Sequence, residues 1–349
     1  MLRAALIGAG EIALQHLACL QALPTVTLAG VCDRSRGLAE SAAERFGASA
    51  WFTDHRAMLD EIRPDVVHIT TPPPSHFQLA MDALEAGAHV IVEKPATTAR
   101  ESLSVLLRSA ADKQRVLIED YNYLFNAPVQ RIVSLAQSGD LGDIVHVEVF
   151  LCLELDESRP PAGHARVLRD RSMPGGAIGD FLPHLASLAH CFAGPHRAVR
   201  SHWSKRSVSS SWPWDEFRAA VAAERGTAML ALSLHAQPDA FWLRVHGTRM
   251  RVSAELYDRS LVVDRLGDGP RPIATVCNRL RQARDLRRTA LRGFYTKLTD
   301  GRGIYDGLWS LLTRTYAALQ SGTAPPISLR QIAEVNDLVA ALTAEECRF

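Results

Sequence analysis

The sequence predicts an α/β chain: a doubly wound parallel sheet at the N-terminus, then an α+β domain built on a large, open, mostly antiparallel sheet. Three observations predict it. Short continuous apolar runs alternate with amphipathic stretches through the first 120 residues, as strands buried on both faces do between helical crossovers. A glycine-rich turn, Gly8-Ala9-Gly10, joins the first apolar run to the first amphipathic stretch. Beyond residue 120, strand-like runs follow one another without regular helices between them.

The elements follow in order. Strands are expected at Ala4–Ile7, Leu28–Cys32, Val66–Ile69, Val90–Val92 and Val116–Ile118. Between them lie helix patterns at Glu11–Ala22, Arg36–Phe46, Phe77–Ala86 and Glu101–Ala111. The boundary is set at 1–120 and 121–349. In the second domain a helix is expected over Pro128–Gln137 and a partly alternating stretch over Ile144–Leu155. A Pro/Arg/Gly-rich loop, Ser158–Gly176, precedes a helix running through Phe192. Further strands are expected at Ala228–Leu234, Phe241–Val245, Met250–Ala254 and Leu261–Val263. Two helices close the chain near Ile304–Gln320 and Leu329–Thr343, free to pack back on the first domain, with Ser328 as an N-cap after Pro325-Pro326.

Composition excludes several classes. The chain has 349 residues, 47% of them hydrophobic, enough for two domains with their own cores. Its 39 Lys+Arg against 38 Asp+Glu leave a net charge of +1, which gives no pull toward nucleic acid or a membrane surface. No apolar run reaches the roughly 18–20 residues of a membrane span. The opening MLRAALIGAG enters a strand directly and lacks the zones of a secretory signal. The cysteines, at 19, 32, 152, 191, 277 and 347, are scattered with no CxxC. They read as reduced thiols of a cytoplasmic protein, and no spacing suggests a metal.

The turn after the first strand, Gly8-Ala9-Gly10-Glu11-Ile12-Ala13, has the GxGxxA form of a dinucleotide fingerprint. Gly8 permits the tight turn, Gly10 lets the backbone approach a pyrophosphate, and Ala13 allows close helix–strand packing. The first helical residues, Glu11 and Ile12, then present free N–H groups at the positive end of the helix. Asp33 ends the second strand, where a carboxylate accepts the adenosine ribose hydroxyls and repels a 2′-phosphate. NAD is therefore favoured, with NADP the alternative because Arg34 follows immediately.

Two clusters sit at the ends of later strands. Thr70-Thr71-Pro72-Pro73-Pro74-Ser75-His76 forms an extended loop in which Ser75 reads as a helix cap. Glu93-Lys94-Pro95 places charge at the mouth of a buried strand. Downstream, Gly175-Gly176-Ala177-Ile178-Gly179-Asp180-Phe181-Leu182-Pro183-His184 sets Asp180 and His184 four apart, on one helix face. Together these motifs resemble the Gfo/Idh/MocA family of oxidoreductases over the whole chain. The resemblance implies an enzyme that moves hydride between a nicotinamide cofactor and a hydroxyl or keto group of a sugar, cyclitol or sugar-derived small molecule. It implies Lys94, His184 and Asp180 as the catalytic set. It also implies a cofactor site of Gly8, Gly10, Glu11, Ile12, Asp33, Arg34, Thr71, Pro72, His76, Glu93 and Lys94.

The chemistry agrees with these assignments. Oxidising a carbinol needs a proton acceptor, for which an imidazole suits neutral pH, and a cation where alkoxide character develops. Two positions depart from the family pattern: Ser187 stands where an acidic residue is frequent, and Leu124 where a basic one is. Both concern substrate. Tyr121, Asn122, Arg159 and Arg166 are the expected substrate contacts, the last two from the arginine-rich loop. The arginines of Arg279–Arg292 read as a solvated helix face or a subunit contact, and Trp212-Pro213-Trp214 as a loop or sheet edge. A homodimer or homotetramer through the second domain's sheet is expected. Two alternatives remain open here: redox-neutral use of bound NAD, and a cofactor-dependent regulatory binding protein. Retention of Lys94 and His184 speaks against the second.

Overall fold

A computed structural model describes residues 1–154, 175–207, 212–265, 271–299 and 305–344. The chain divides into two compact units. The first is Met1–Asn122 with Leu308–Ala333, and the second is Tyr123–Gly307 with Glu334–Phe349. The last 40-odd residues thus do not all belong to one body.

The first unit is built on six parallel strands: β1 (Leu2–Ile7), β2 (Val26–Cys32), β3 (Trp51–Phe52), β4 (Val66–Ile69), β5 (His89–Val92) and β6 (Leu117–Glu119). Their order is β3-β2-β1-β4-β5-β6. The order reverses between β1 and β4, and that switch point is where ligands bind in open α/β sheets. The crossovers are α1 (Glu11–Ala22), α2 (Arg36–Phe46), α3 (His55–Ile62), α4 (His76–Glu85) and α5 (Arg100–Asp112). The central strands are buried along most of their length, as their unbroken apolar runs require.

Two first-unit elements went unread in the sequence. β3 is only two residues long. α3 has eight, and it starts because Asp54 accepts the amides of Arg56 and Ala57 at 2.7 and 3.3 Å.

The second unit opens with α6 (Ala127–Gln137) and carries a seven-stranded sheet. Its strands are β7 (Ile144–Cys152), β8 (His196–Ser204), β9 (Glu216–Ala223), β10 (Gly226–Ser233), β11 (Ala240–Gly247), β12 (Met250–Glu255) and β13 (Ser260–Arg265). The order is β13-β12-β11-β7-β10-β9-β8. All pairs are antiparallel except β10 with β7. Helix α7 (Gly176–Ala193) packs on β7, β10 and β9. Alternate residues such as Val147, Val149, Phe217, Leu230 and Leu243 are buried, while Glu148 pairs with Arg244 and His246 on the other face. β8 and β9 are not among the strands expected from sequence, although β9 alternates between buried and exposed positions.

The helix α8 (Arg271–Thr299) carries Arg279, Arg281, Arg284, Arg287 and Arg288 exposed, as a solvated face. Trp212 lies in a loop, as expected, and is buried against the start of α7. Helix α9 (Asp306–Ser321) belongs to the first unit from Leu308 on, and α10 (Leu329–Thr343) opens with Ser328 Oγ accepting the Gln331 amide at 3.1 Å.

Candidate functional site

In the first unit, three loops at the C-terminal ends of β1, β4 and β5 are fastened to one another. Gly8 follows β1 with φ +98°, and a Cβ there would lie 2.6 Å from Thr71 Cγ2 and 2.8 Å from Thr71 N. Only glycine permits this approach. The Thr70 hydroxyl donates to the Gly8 carbonyl at 2.6 Å. Asp33, after β2, accepts the Ala9 amide on Oδ2 and the Ser35 amide on Oδ1, both at 2.8 Å. Asp33 therefore ties the glycine turn to the end of β2 as well as ending that strand. Arg34 beside it is exposed.

His76 links the other two loops. It is fully buried, with Nδ1 2.8 Å from the Pro95 carbonyl and Nε2 2.6 Å from that of Thr71. Burial pushes its pKa down, against the pull of these two carbonyls. The ring is thus a strut between the triple-proline loop and the Glu93-Lys94-Pro95 turn. Ser75 does not cap α4 through its side chain. Its Oγ lies 2.7 Å from Thr71 Oγ1 and donates to the Pro72 carbonyl at 2.8 Å, because the chain turns through Pro73–Ser75 in a 3-10 helix before α4 begins.

These residues fit a dinucleotide. Gly10 sits at the N-cap of α1 with no side-chain cap, and a Cβ added to it would meet nothing within 4 Å. The uncapped amides of Glu11 and Ile12 therefore border open space at the positive end of the helix, where a pyrophosphate is stabilised. Glu11 and Pro72 are exposed, and Ile12, Thr71, Glu93 and Lys94 are half-buried around the same strand ends.

Glu93 leads into a group the sequence did not single out. Its Oε1 lies 3.3 Å from His16 Nε2, and Asp120 Oδ2 lies 3.9 Å from the same nitrogen. One ring nitrogen of His16 and one carboxylate oxygen each of Glu93 and Asp120 all lie within 4.8 Å of one another. Burial and the Glu93 charge raise the Asp120 pKa well above the carboxylate range. Burial also opposes ionisation of Glu93, but the His16 N–H outweighs it and holds that carboxyl low. The signal was present in the sequence: a histidine at i+3 from Ala13 on the apolar face of α1, and another inside the apolar run Val66-Val67-His68-Ile69.

Tyr121 was expected to touch substrate. The structure places it in the core: it is 0% exposed and its hydroxyl donates to Glu119 Oε2 at 2.9 Å. Asn122 is half-buried at the end of the first unit. Arg159 and Arg166 lie outside the described residues.

In the second unit α7 carries Asp180, half-buried, and His184, 6% exposed. Aromatic side chains frame the imidazole: the Tyr123 ring meets it edge-on at 4.8 Å, and the Phe181 centroid is 6.4 Å away. Tyr123 in turn packs on Phe241 at 4.6 Å. The paired glycines before the helix have a packing reason. A Cβ on Gly175 would lie 2.8 Å from Trp203, and one on Gly176 would lie 3.2 Å from Pro213. Ser187, the departure from the family pattern, donates to the His184 carbonyl at 3.0 Å.

Comparison with known proteins agrees with this geometry. The model of the oxidoreductase family with an NAD-binding Rossmann fold matches residues 2–121, and that of the GFO/IDH/MocA C-terminal domain matches residues 129–253. A D-glucoside 3-dehydrogenase of Escherichia coli (strain K12) is 33% identical over 144 residues, 41% of each chain. A dTDP-3,4-didehydro-2,6-dideoxy-alpha-D-glucose 3-reductase of Streptomyces antibioticus is 29% identical over 56% of this chain and 57% of its own. The chain spans about half the length of these curated relatives. Among solved structures, a levoglucosan dehydrogenase in complex with NADH and levoglucosan superposes with TM-score 0.79 at 20% identity, covering 99% of this chain and 98% of that one. An NAD binding oxidoreductase from Klebsiella pneumoniae gives 0.79 at 19%, covering 98% and 96%. These likenesses show the shared fold. With both family models matched in sequence order, the chain belongs to the GFO/IDH/MocA family of oxidoreductases, and its residues 2–121 form an NAD-binding Rossmann fold.

Proposed function

We propose that this protein is an NAD(H)-dependent enzyme that interconverts a hydroxyl and a keto group on a sugar, cyclitol or sugar-derived substrate. The observation that carries the reading is the fastening of the Lys94 turn, through His76, to the loop that packs on the cofactor's glycine turn. Bound NAD supplies the hydride acceptor. Lys94 then places positive charge where the substrate oxygen becomes alkoxide-like. His184 accepts the hydroxyl proton, and its aromatic surround of Tyr123 and Phe181 excludes water from that face of the ring. Asp180, one turn earlier on α7, orients the imidazole or supports its cation. The curated relatives named for glucoside, levoglucosan and deoxyglucose chemistry support a pyranose-like substrate.

Asp33 favours NAD over NADP. Arg159 and Arg166 serve as substrate contacts in this reading. Among the described residues no helix is long and apolar enough to cross a membrane, and the cysteines at 19, 32, 152, 191 and 277 are free thiols. Free thiols suit a cytoplasmic enzyme. The face of the seven-stranded sheet opposite α7, with Phe150 against Trp242, suits a homodimer or homotetramer.

The test is a screen of polyols, sugars and nucleotide sugars followed by NADH absorbance, with Lys94→Ala as control. Turnover by the native chain and loss in the variant are expected; an active Lys94→Ala protein would overturn the assignment.

A further inference from the structure

Behind the Glu93-Lys94-Pro95 turn, the first unit holds a run of titratable side chains that the proposed reaction does not use. Tyr316 Oη of α9 is 2.9 Å from His68 Nε2 of β4. His68 Nδ1 is 2.9 Å from His16 Nδ1 of α1, and His16 Nε2 is 3.3 Å from Glu93 Oε1. The Asp120 carboxyl, after β6, is buried beside Glu93, with its Oδ2 3.9 Å from His16 Nε2. His16 and His68 are 0% exposed, Tyr316 and Asp120 1%, and Glu93 13%.

The proton positions follow from elementary bonding. Two carboxyl groups buried side by side are not both ionised, so one of them carries a proton. Asp120 is that group, because it is the more deeply buried and faces the charge on Glu93, which keeps the His16 N–H for itself. An ionised Glu93 can only accept, so His16 Nε2 carries hydrogen. Lys94 already supplies the counter-charge to Glu93, and its ammonium pulls both carboxyls down. A second buried cation and a second buried anion would add desolvation cost without need, so His16 is neutral and its Nδ1 accepts. His68 Nδ1 must then donate, and its Nε2 must accept. Burial pushes the His68 pKa well down, which keeps that ring neutral. Tyr316, buried and facing Cys19 and Asp65, keeps its phenolic proton and donates it. Every donor in the run is used once, and all point the same way.

We propose that these groups form one directional hydrogen-bond relay, Tyr316 to His68 to His16 to Glu93, closed by the Asp120 proton. The relay fixes a single negative charge behind Lys94. His16 and Asp120 are therefore positioning residues for the Glu93-Lys94-Pro95 turn. This last step rests on Lys94 acting in the proposed reaction; the relay itself does not.

The relay is tested on the whole native chain by nitrogen-15 NMR of labelled histidines at pH 7. The expected result is the Nε2–H tautomer for His16 and the Nδ1–H tautomer for His68. Either opposite tautomer, or a cationic His16, overturns the relay. Infrared spectra in heavy water should show a protonated carboxyl stretch that Asp120→Asn removes; its persistence in that variant overturns the proton assignment.

The positioning role is read separately, as kcat against pH. His16→Leu, which removes the donor to Glu93, should lower kcat by about 10-fold or more and move the profile, with NAD affinity held within about threefold, as losing one bond to a charged group implies. Asp120→Asn, which keeps an N–H donor toward Glu93, should retain several-fold more kcat than Asp120→Ala. An unmoved profile in His16→Leu, or equal losses in the two Asp120 variants, would sink the positioning role. The tautomers and the Lys94 assignment would survive that outcome.

Discussion

The Asp33 carboxylate accepts the Ala9 amide at 2.8 Å, so one side chain both ends β2 and holds the glycine turn that follows β1. The carboxylate proposed to select the nucleotide is also a structural tie.

Replacing it should therefore do two things. In Asp33→Ala the Ala9 and Ser35 amides lose their acceptor, and a charge-assisted bond of about 1.5–3 kcal/mol is removed. NAD affinity should fall about 10- to 100-fold, and the preference for NAD over NADP should shrink as the 2′-phosphate is no longer repelled. Titrating both cofactors by fluorescence reads both effects; unchanged discrimination would remove Asp33 from the cofactor site.

The two glycines of the turn should separate folding from binding. A side chain at Gly8 would strike Thr71 in a left-handed backbone, so Gly8→Ala should lower both melting temperature and cofactor binding, with strain of about 1–3 kcal/mol. At Gly10 a Cβ meets no protein atom within 4 Å. Gly10→Ala should keep stability within about 0.5 kcal/mol of the native chain while NAD binding falls. Thermal melts with and without NAD check the pair.

Gly175→Ala tests the start of α7 in the same way. Its φ is +78°, and the new methyl would lie 2.8 Å from Trp203. A loss of about 1–3 kcal/mol is expected, read by urea unfolding.

Removing the proposed proton acceptor should spare the fold. His184→Asn should reduce kcat by about 10²–10⁴-fold with NAD affinity nearly unchanged. Single-turnover NADH formation is the measurement, and a rate within twofold of native would refute the role.

Stability should fall on the acid side. His68 and His76 have folded-state pKa values pushed down by burial, so the unfolded chain binds more protons once the pH drops below the ordinary histidine value of about 6.5. Above that value neither residue contributes a penalty. Below it, each costs up to about 1.4 kcal/mol per pH unit until its folded pKa is reached. Urea midpoints between pH 8 and 5 should decline below pH 6.5, and His68→Asn should flatten part of that slope.

The parallel sheet, the glycine turn, Asp33, the Glu93-Lys94-Pro95 turn and the Asp180/His184 helix are all legible in the residue order. Each is carried by local rules: apolar periodicity, the steric freedom of glycine, and the end of a strand or the face of a helix. Elements weak in those rules, such as the two-residue β3 and the eight-residue α3, were not legible. Folding in three dimensions is what returns α9 to the first unit and sets Tyr316 against His68 across 248 residues of chain. It alone decided that Tyr121 is core, that His76 is a strut and that Ser75 bonds backward instead of capping. The physical reason is the same in each case. A buried polar group takes its role from whichever partner saturates its hydrogen bonds, and those partners lie far away in sequence.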